Sequence, residues 1–127
     1  MALSIDIQRP GDALWTARVT LAGSLDGTTA PRLEEALKPL LGAVRHVVFD
    51  LADLKFISSA GIRVLLAARK ELKARDGSFA MHRLQPQIVK VFEIIGALPG
   101  FDIFTSEKEL DDYLAAMQRK HASPGVL

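Results

Sequence analysis

The stretch His46–Leu72, HVVFDLADLKFISSAGIRVLLAARKEL, decides the fold, because two periodicities meet inside it. HVVFDL (His46–Leu51) is almost wholly apolar and carries two valines, as expected for a strand buried on both faces, and the strand-like character runs on through ADLKFI to Ile57. From Ser59 onward Ile62, Leu65, Leu66 and Leu72 form an apolar stripe at helical spacing, with Arg63, Lys70 and Lys73 pointing away. A strand therefore hands over to a helix across Ser58-Ser59-Ala60-Gly61, four small residues that a routine core segment does not need.

Upstream, LSIDIQ alternates Leu3, Ile5 and Ile7 with polar residues, the period of a half-buried strand, and RPGD (Arg9–Asp12) is turn chemistry. The alternation resumes in ALWTARVTLAG (Ala13–Gly23), so the two runs are expected to pair as a hairpin. In SLDGTTAPRLEEALKPLLG, Leu33, Leu37 and Leu40 or Leu41 recur at helical spacing. Pro31 suits a first turn, and Pro39 and Gly42 are read as the helix end.

Downstream, FAMHRL reads as a strand and QPQIVKVFEIIG as a helix from about Pro86 that stops at Gly96, with Leu98 and Phe101 folding back on the core. FDIF is a last short strand. Ser106 and Glu109 make a capping box that opens a closing helix, and residues 121–127 read as a tail. The order is β-β-α-β-α-β-α-β-α in one α/β domain over residues 1–120, a mixed β-sheet with helices packed mainly on one face.

Composition narrows the function classes. Sixteen basic residues against fifteen acidic ones leave a formal charge of +1, which gives no electrostatic case for nucleic acid or a membrane surface. The absence of cysteine excludes a disulfide framework, a thiolate metal site and a cysteine nucleophile. The N-terminal residues lack a signal-peptide pattern and no run is long enough to span a bilayer, so a cytoplasmic protein is expected. His46, His82 and His121 share no metal-ligand spacing, and neither a Walker loop nor a dinucleotide fingerprint is present, so no metal or cofactor is expected. A hydrolase built on Ser59 would need glycine where Ile57 stands, so the protein is not expected to be an enzyme.

The serine junction carries two readings. Serine is among the best N-caps, because its oxygen accepts from first-turn N–H groups that lack a partner within the helix. The same position also exposes a hydroxyl at one end of the sheet, beside N–H groups and a helix dipole that favour a phosphate. Phosphorylation would add about −2 charge and three acceptor oxygens there.

The residues DLADLKFISSAGIRVLL resemble the strand, the "L-x-F-[IM]-D-S-[ST]-G-L" junction and the helix of the STAS domain family, shared by bacterial anti-sigma factor antagonists and sulfate transporters. LAGSLDGTTAPRLEEAL is similar to the family's "L-x-G-x-L-D-x-x-T-A" segment, and GSFAMHRLQPQIVKVFEIIGALPGFDIFTSEKEL to its closing strand, helix and turn. The likeness runs from Leu3 to Leu114.

Under this resemblance the phosphoacceptor falls on Ser59, the next Ser or Thr on Ala60, the glycine on Gly61 and the loop aspartate on Asp26, while the family's junction aspartate is replaced by Ser58. It implies a non-enzymatic anti-sigma factor antagonist that binds an anti-sigma factor serine kinase, is phosphorylated by it and is reset by a serine phosphatase. Asp26, Gly27, Thr28, Ser58, Gly61 and Ile62 are the expected docking residues. The alternative within the same family is a cytoplasmic STAS subunit of a lipid or anion transporter complex.

Overall fold

The computed structural model describes residues 2–9, 15–94 and 102–104. Its elements are β1 (Leu3–Gln8), β2 (Thr16–Leu25), α1 (Ala30–Ala43), β3 (His46–Ile57), α2 (Ser59–Ala74), β4 (Ser78–His82), α3 (Pro86–Ile94) and β5 (Asp102–Phe104). The expected stop at Gly96, the contacts of Leu98 and Phe101, the closing helix from Ser106 and the tail lie outside the described residues.

The strands form one five-stranded sheet in the order β1-β2-β3-β4-β5. β1 pairs antiparallel with β2, and β2, β3, β4 and β5 run parallel to one another, as the helical crossovers require. Alternate residues of the central strands (Val19 and Leu21, Phe49 and Leu51, Phe79 and Met81) share one hydrophobic cluster with Leu33, Leu37 and Leu40 of α1, Ile62, Leu65 and Leu72 of α2, and Ile88 and Phe92 of α3. The described helices therefore pack on one face. Phe49 and Phe79 stack at its centre, with ring centroids 4.9 Å apart.

The intervening strand residues point the other way, and that face sets polar side chains such as Arg18, Asp50 and His82 beside the buried Val48 and Ala80. Asp50, only 4% exposed, accepts from Arg83 at 2.5 Å and from the Ala52 N–H at 3.1 Å, and Arg18 lies 3.8 Å away. Burial raises the Asp50 pKa, but the Arg83 contact, the Ala52 N–H and the nearby Arg18 charge outweigh it, so the carboxyl sits below its ordinary value. The carboxylate is thus held charged inside the domain by named partners.

Three expectations about element limits need correction. Trp15 is not a strand residue: its φ is +64° and its side chain is exposed, and its carbonyl accepts from the Arg45 and His46 N–H groups. Pro39 and Gly42 do not end α1, which runs through both to Ala43. The last-turn carbonyls of Leu41 and Gly42 receive the Arg75 guanidinium from the end of α2, so the two helices are tied at that end. Leu66 is 40% exposed rather than part of the buried stripe, because it lies on the solvent side of Leu65 and Ala68.

Candidate functional site

Parallel pairing brings the ends of β2 and β3 side by side, with Leu25 opposite Ile57. The register shifts between Gly23 and Ser24, where Gly23 takes φ +100° and a Cβ would lie 2.1 Å from the Ala2 carbonyl oxygen. Only glycine fits that bulge. The chain leaves β2 into Asp26-Gly27-Thr28 and leaves β3 into Ser58-Ser59, so two segments 32 positions apart in sequence share one edge of the sheet. The Ser58 N–H donates to the Leu25 carbonyl at 2.9 Å, which joins them directly.

The Asp26 loop is ordered by its own hydrogen bonds. Asp26 Oδ1 accepts from the Thr28 N–H at 2.9 Å, the Thr28 hydroxyl at 2.7 Å and the Thr29 N–H at 3.2 Å. Its backbone carbonyl accepts from the Ala30 N–H at 2.8 Å. Thr29, which is buried, accepts from the Asp26 N–H at 2.9 Å and donates to the Ser24 carbonyl at 2.8 Å. These bonds, led by that from the Thr28 hydroxyl, hold the Asp26 carboxyl below its ordinary value. A fixed negative charge therefore stands at this edge, with Gly27 and Thr28 exposed around it.

The serine pair divides into two environments. Ser59 is exposed as the first residue of α2. Ser58 is the N-cap, with extended backbone, and its carbonyl accepts from the Ile62 N–H at 3.0 Å. Its side chain makes no capping hydrogen bond, and its Oγ is buried without a partner. The N–H groups of Ser59, Ala60 and Gly61 precede the first intrahelical bond and have no partner among the described residues. An exposed hydroxyl thus stands beside N–H groups that can donate to an anion.

Gly61 and Ile62, expected on the docking surface, are buried instead, Ile62 at 1% exposure. A Cβ on Gly61 would lie 2.6 Å from Leu25 Cγ and 2.8 Å from the Leu25 carbonyl oxygen. Both residues seat the start of α2 against β2; they present no surface. Thr29 and Leu25, which complete the edge, were not singled out from sequence. Thr29 was detectable from its position three residues after Asp26, where a loop aspartate and a threonine can bond each other's backbone. Leu25 carried no such signal.

Among the described residues no cluster of three His, Cys, Asp or Glu side chains could hold a metal ion, and no helix is long and apolar enough to cross a membrane. A cleft of about 430 Å³ opens beside the edge, lined by Gly27, Ala30 and Glu34 on one side and Ala60, Arg63 and Val64 on the other.

The family model for the STAS domain matches residues 4–110. The chain belongs to the STAS domain family. BtrV of Bordetella bronchiseptica is 37% identical over 89 residues, covering 69% of this chain and 77% of its own. The anti-sigma-B factor antagonist of Listeria monocytogenes is 30% identical over 115 residues, covering 87% of this chain and 96% of its own. The solved structure of the anti-sigma factor antagonist SpoIIAA in its unphosphorylated form matches with a TM-score of 0.69 at 22% identity, over 88% of this chain and 98% of that one. At that identity the match shows the fold, and it agrees with the single α/β domain and mixed sheet expected from sequence.

Proposed function

We propose that this STAS domain is an anti-sigma factor antagonist, a protein-binding module switched by phosphorylation of Ser59. The observation that carries the reading is the placement of an exposed Ser59 hydroxyl beside the ordered Asp26–Thr28 loop, at one edge of the sheet. Its relative in Listeria monocytogenes bears the name anti-sigma-B factor antagonist. The unphosphorylated edge (Asp26, Gly27, Thr28 and Ser59) docks an anti-sigma factor serine kinase in the cytoplasm, and the sigma factor that the kinase would otherwise hold is released.

The kinase supplies ATP. Ser59 Oγ attacks the γ-phosphorus, the Oγ–P bond forms, the bond from that phosphorus to the ADP oxygen breaks, and the hydroxyl proton passes to a base on the kinase. The product carries about −2 charge beside Asp26, which already holds a negative charge at low pKa. A partner that fits the unphosphorylated edge is then repelled and sterically blocked. A serine phosphatase resets the edge by hydrolysing the ester with water.

The test is a binding titration against candidate anti-sigma factor kinases of the same organism. Ser59→Ala is expected to bind as the parent chain does, and Ser59→Asp to bind at least about tenfold more weakly. Mass spectrometry after incubation with the kinase and ATP should place one phosphate on Ser59. Equal binding by the two variants would sink the switch.

A further inference from the structure

Arg63 stands four residues after Ser59 in the same helix, and both side chains are exposed. Residues four apart lie one above the other on a helix face, with Cβ atoms about 5–6 Å apart. Among the described residues Arg63 has no ion-pair or hydrogen-bond partner. It also lines the cleft between α1 and α2 together with Ala60, the residue after Ser59. A long, uncommitted guanidinium is therefore within reach of the one hydroxyl at this edge that the proposed switch would modify. The N–H groups of Ser59, Ala60 and Gly61 open toward the same point without partners of their own among the described residues.

We propose that Arg63 is the internal receptor for a phosphate on Ser59, forming a charge-assisted fork to two of its oxygens while the first-turn N–H groups meet the remaining charge. The inference rests on the phosphorylation reading above, with ATP as the phosphoryl donor already named. The two features have different chemical roles. A guanidinium supplies two parallel donors and a full positive charge, whereas the helix end supplies only oriented dipoles. The pairing offsets the repulsion between the phosphate and Asp26 on the neighbouring loop, so the phosphorylated form keeps the fold of the edge while adding negative charge to it. It also draws Arg63 out of the α1–α2 cleft, where Glu34 stands on the opposite wall. One modification thus changes two neighbouring surfaces.

The test uses the full chain with phosphoserine incorporated genetically at position 59, which needs no kinase. Phosphorus NMR then follows the second ionisation of the phosphate, ordinarily near pH 6, in about 0.1 M salt, where the screening length is about 10 Å. With Arg63 present this ionisation is expected to fall at lower pH than in the Arg63→Gln protein, by about half a pH unit. Arg63→Lys should recover most of that shift. Lys70→Gln, which removes the same charge from the same helix about 16 Å from Ser59 along its axis, should leave the titration unchanged. In about 1 M salt the difference should collapse.

Identical titrations for the parent and Arg63→Gln proteins would overturn the receptor role, as would an equal shift from Lys70→Gln. Failure of the function itself is read elsewhere, by equal partner binding of Ser59→Ala and Ser59→Asp, so the two failures are distinguishable. Where both proposals hold, phosphoserine at position 59 weakens partner binding and Arg63→Gln moves the phosphate's titration.

Discussion

Gly61 approaches Leu25 so closely that a methyl group in place of its hydrogen would lie 2.6 Å from Leu25 Cγ and 2.8 Å from the Leu25 carbonyl oxygen. That oxygen already accepts the Ser58 N–H at 2.9 Å. One backbone carbonyl at the end of β2 therefore sets both where α2 begins and how near it comes to the Asp26 loop. The flexible Leu25 side chain can yield by rotation, but its carbonyl is fixed in the sheet and cannot.

Gly61→Ala is accordingly expected to destabilise the domain. Alanine gains up to about 1 kcal/mol over glycine within a helix, and a methyl group forced into a packed site costs about 1–3 kcal/mol. The backbone contact decides the sign, and a net loss of about 1–2 kcal/mol in urea unfolding is the expected result. A Gly61→Ala protein as stable as the parent would mean that α2 can shift away from β2 freely.

The Asp26 loop gives a pH signature. The Thr28 hydroxyl, followed by the Thr28 and Thr29 N–H groups, holds the folded carboxyl below the ordinary value of 3.8. A depressed folded pKa contributes stability that is present above the unfolded value and is lost as pH falls through the folded one. Thermal unfolding between about pH 5 and pH 2 should therefore show a steeper acid limb for the parent chain than for Asp26→Asn, the two curves converging at the acid end. Parallel curves throughout would remove Asp26 from the account. Under the proposed docking at this edge, partner binding by Asp26→Asn should also weaken, since the fixed charge there is lost.

Leu65 and Leu66 show how far sequence reading reaches. Both fit the apolar stripe of α2 by spacing, yet Leu65 is fully buried and Leu66 is 40% exposed. Periodicity locates a helix face to within about one residue's rotation, and contact with β3 and β4 settles which leucine is inside. Leu65→Ala is expected to cost about 2–4 kcal/mol, whereas Leu66→Gln should stay within about 0.5 kcal/mol. A large loss at Leu66 would point to a surface that is covered in solution.

The element order and the strand-to-helix junction were legible because they depend on local spacing. The partners of that junction were not, because they are fixed by strand pairing. Leu25 opposite Ile57 follows from the register of a parallel ladder and from the bulge at Gly23. Nothing local in KFISSAG announces that a β2 carbonyl will lie against Gly61. Pro39 misled for a related reason: a proline usually breaks a helix, but packing of Leu37 and Leu40 on the sheet and the Arg75 guanidinium at the last turn carry α1 past it.

Ser58 is the final test of what the serine pair does. A capping serine replaced by alanine costs about 1 kcal/mol, because a first-turn N–H loses its acceptor. Here the hydroxyl makes no such bond and is buried without a partner, a state that itself costs about 1–3 kcal/mol. Ser58→Ala is therefore expected to leave stability within about 0.5 kcal/mol of the parent, or to raise it. The proposed phosphorylation of Ser59 should persist, since the Ser59 hydroxyl is untouched. A loss near 1 kcal/mol on Ser58→Ala, recovered in Ser58→Asp, would instead show that the hydroxyl turns to cap α2 in solution. The first-turn N–H groups would then already be partly engaged before any phosphate arrives. Chemical denaturation of the three proteins in parallel, with mass spectrometry of the Ser58–Ser59 peptide from each, separates the two outcomes.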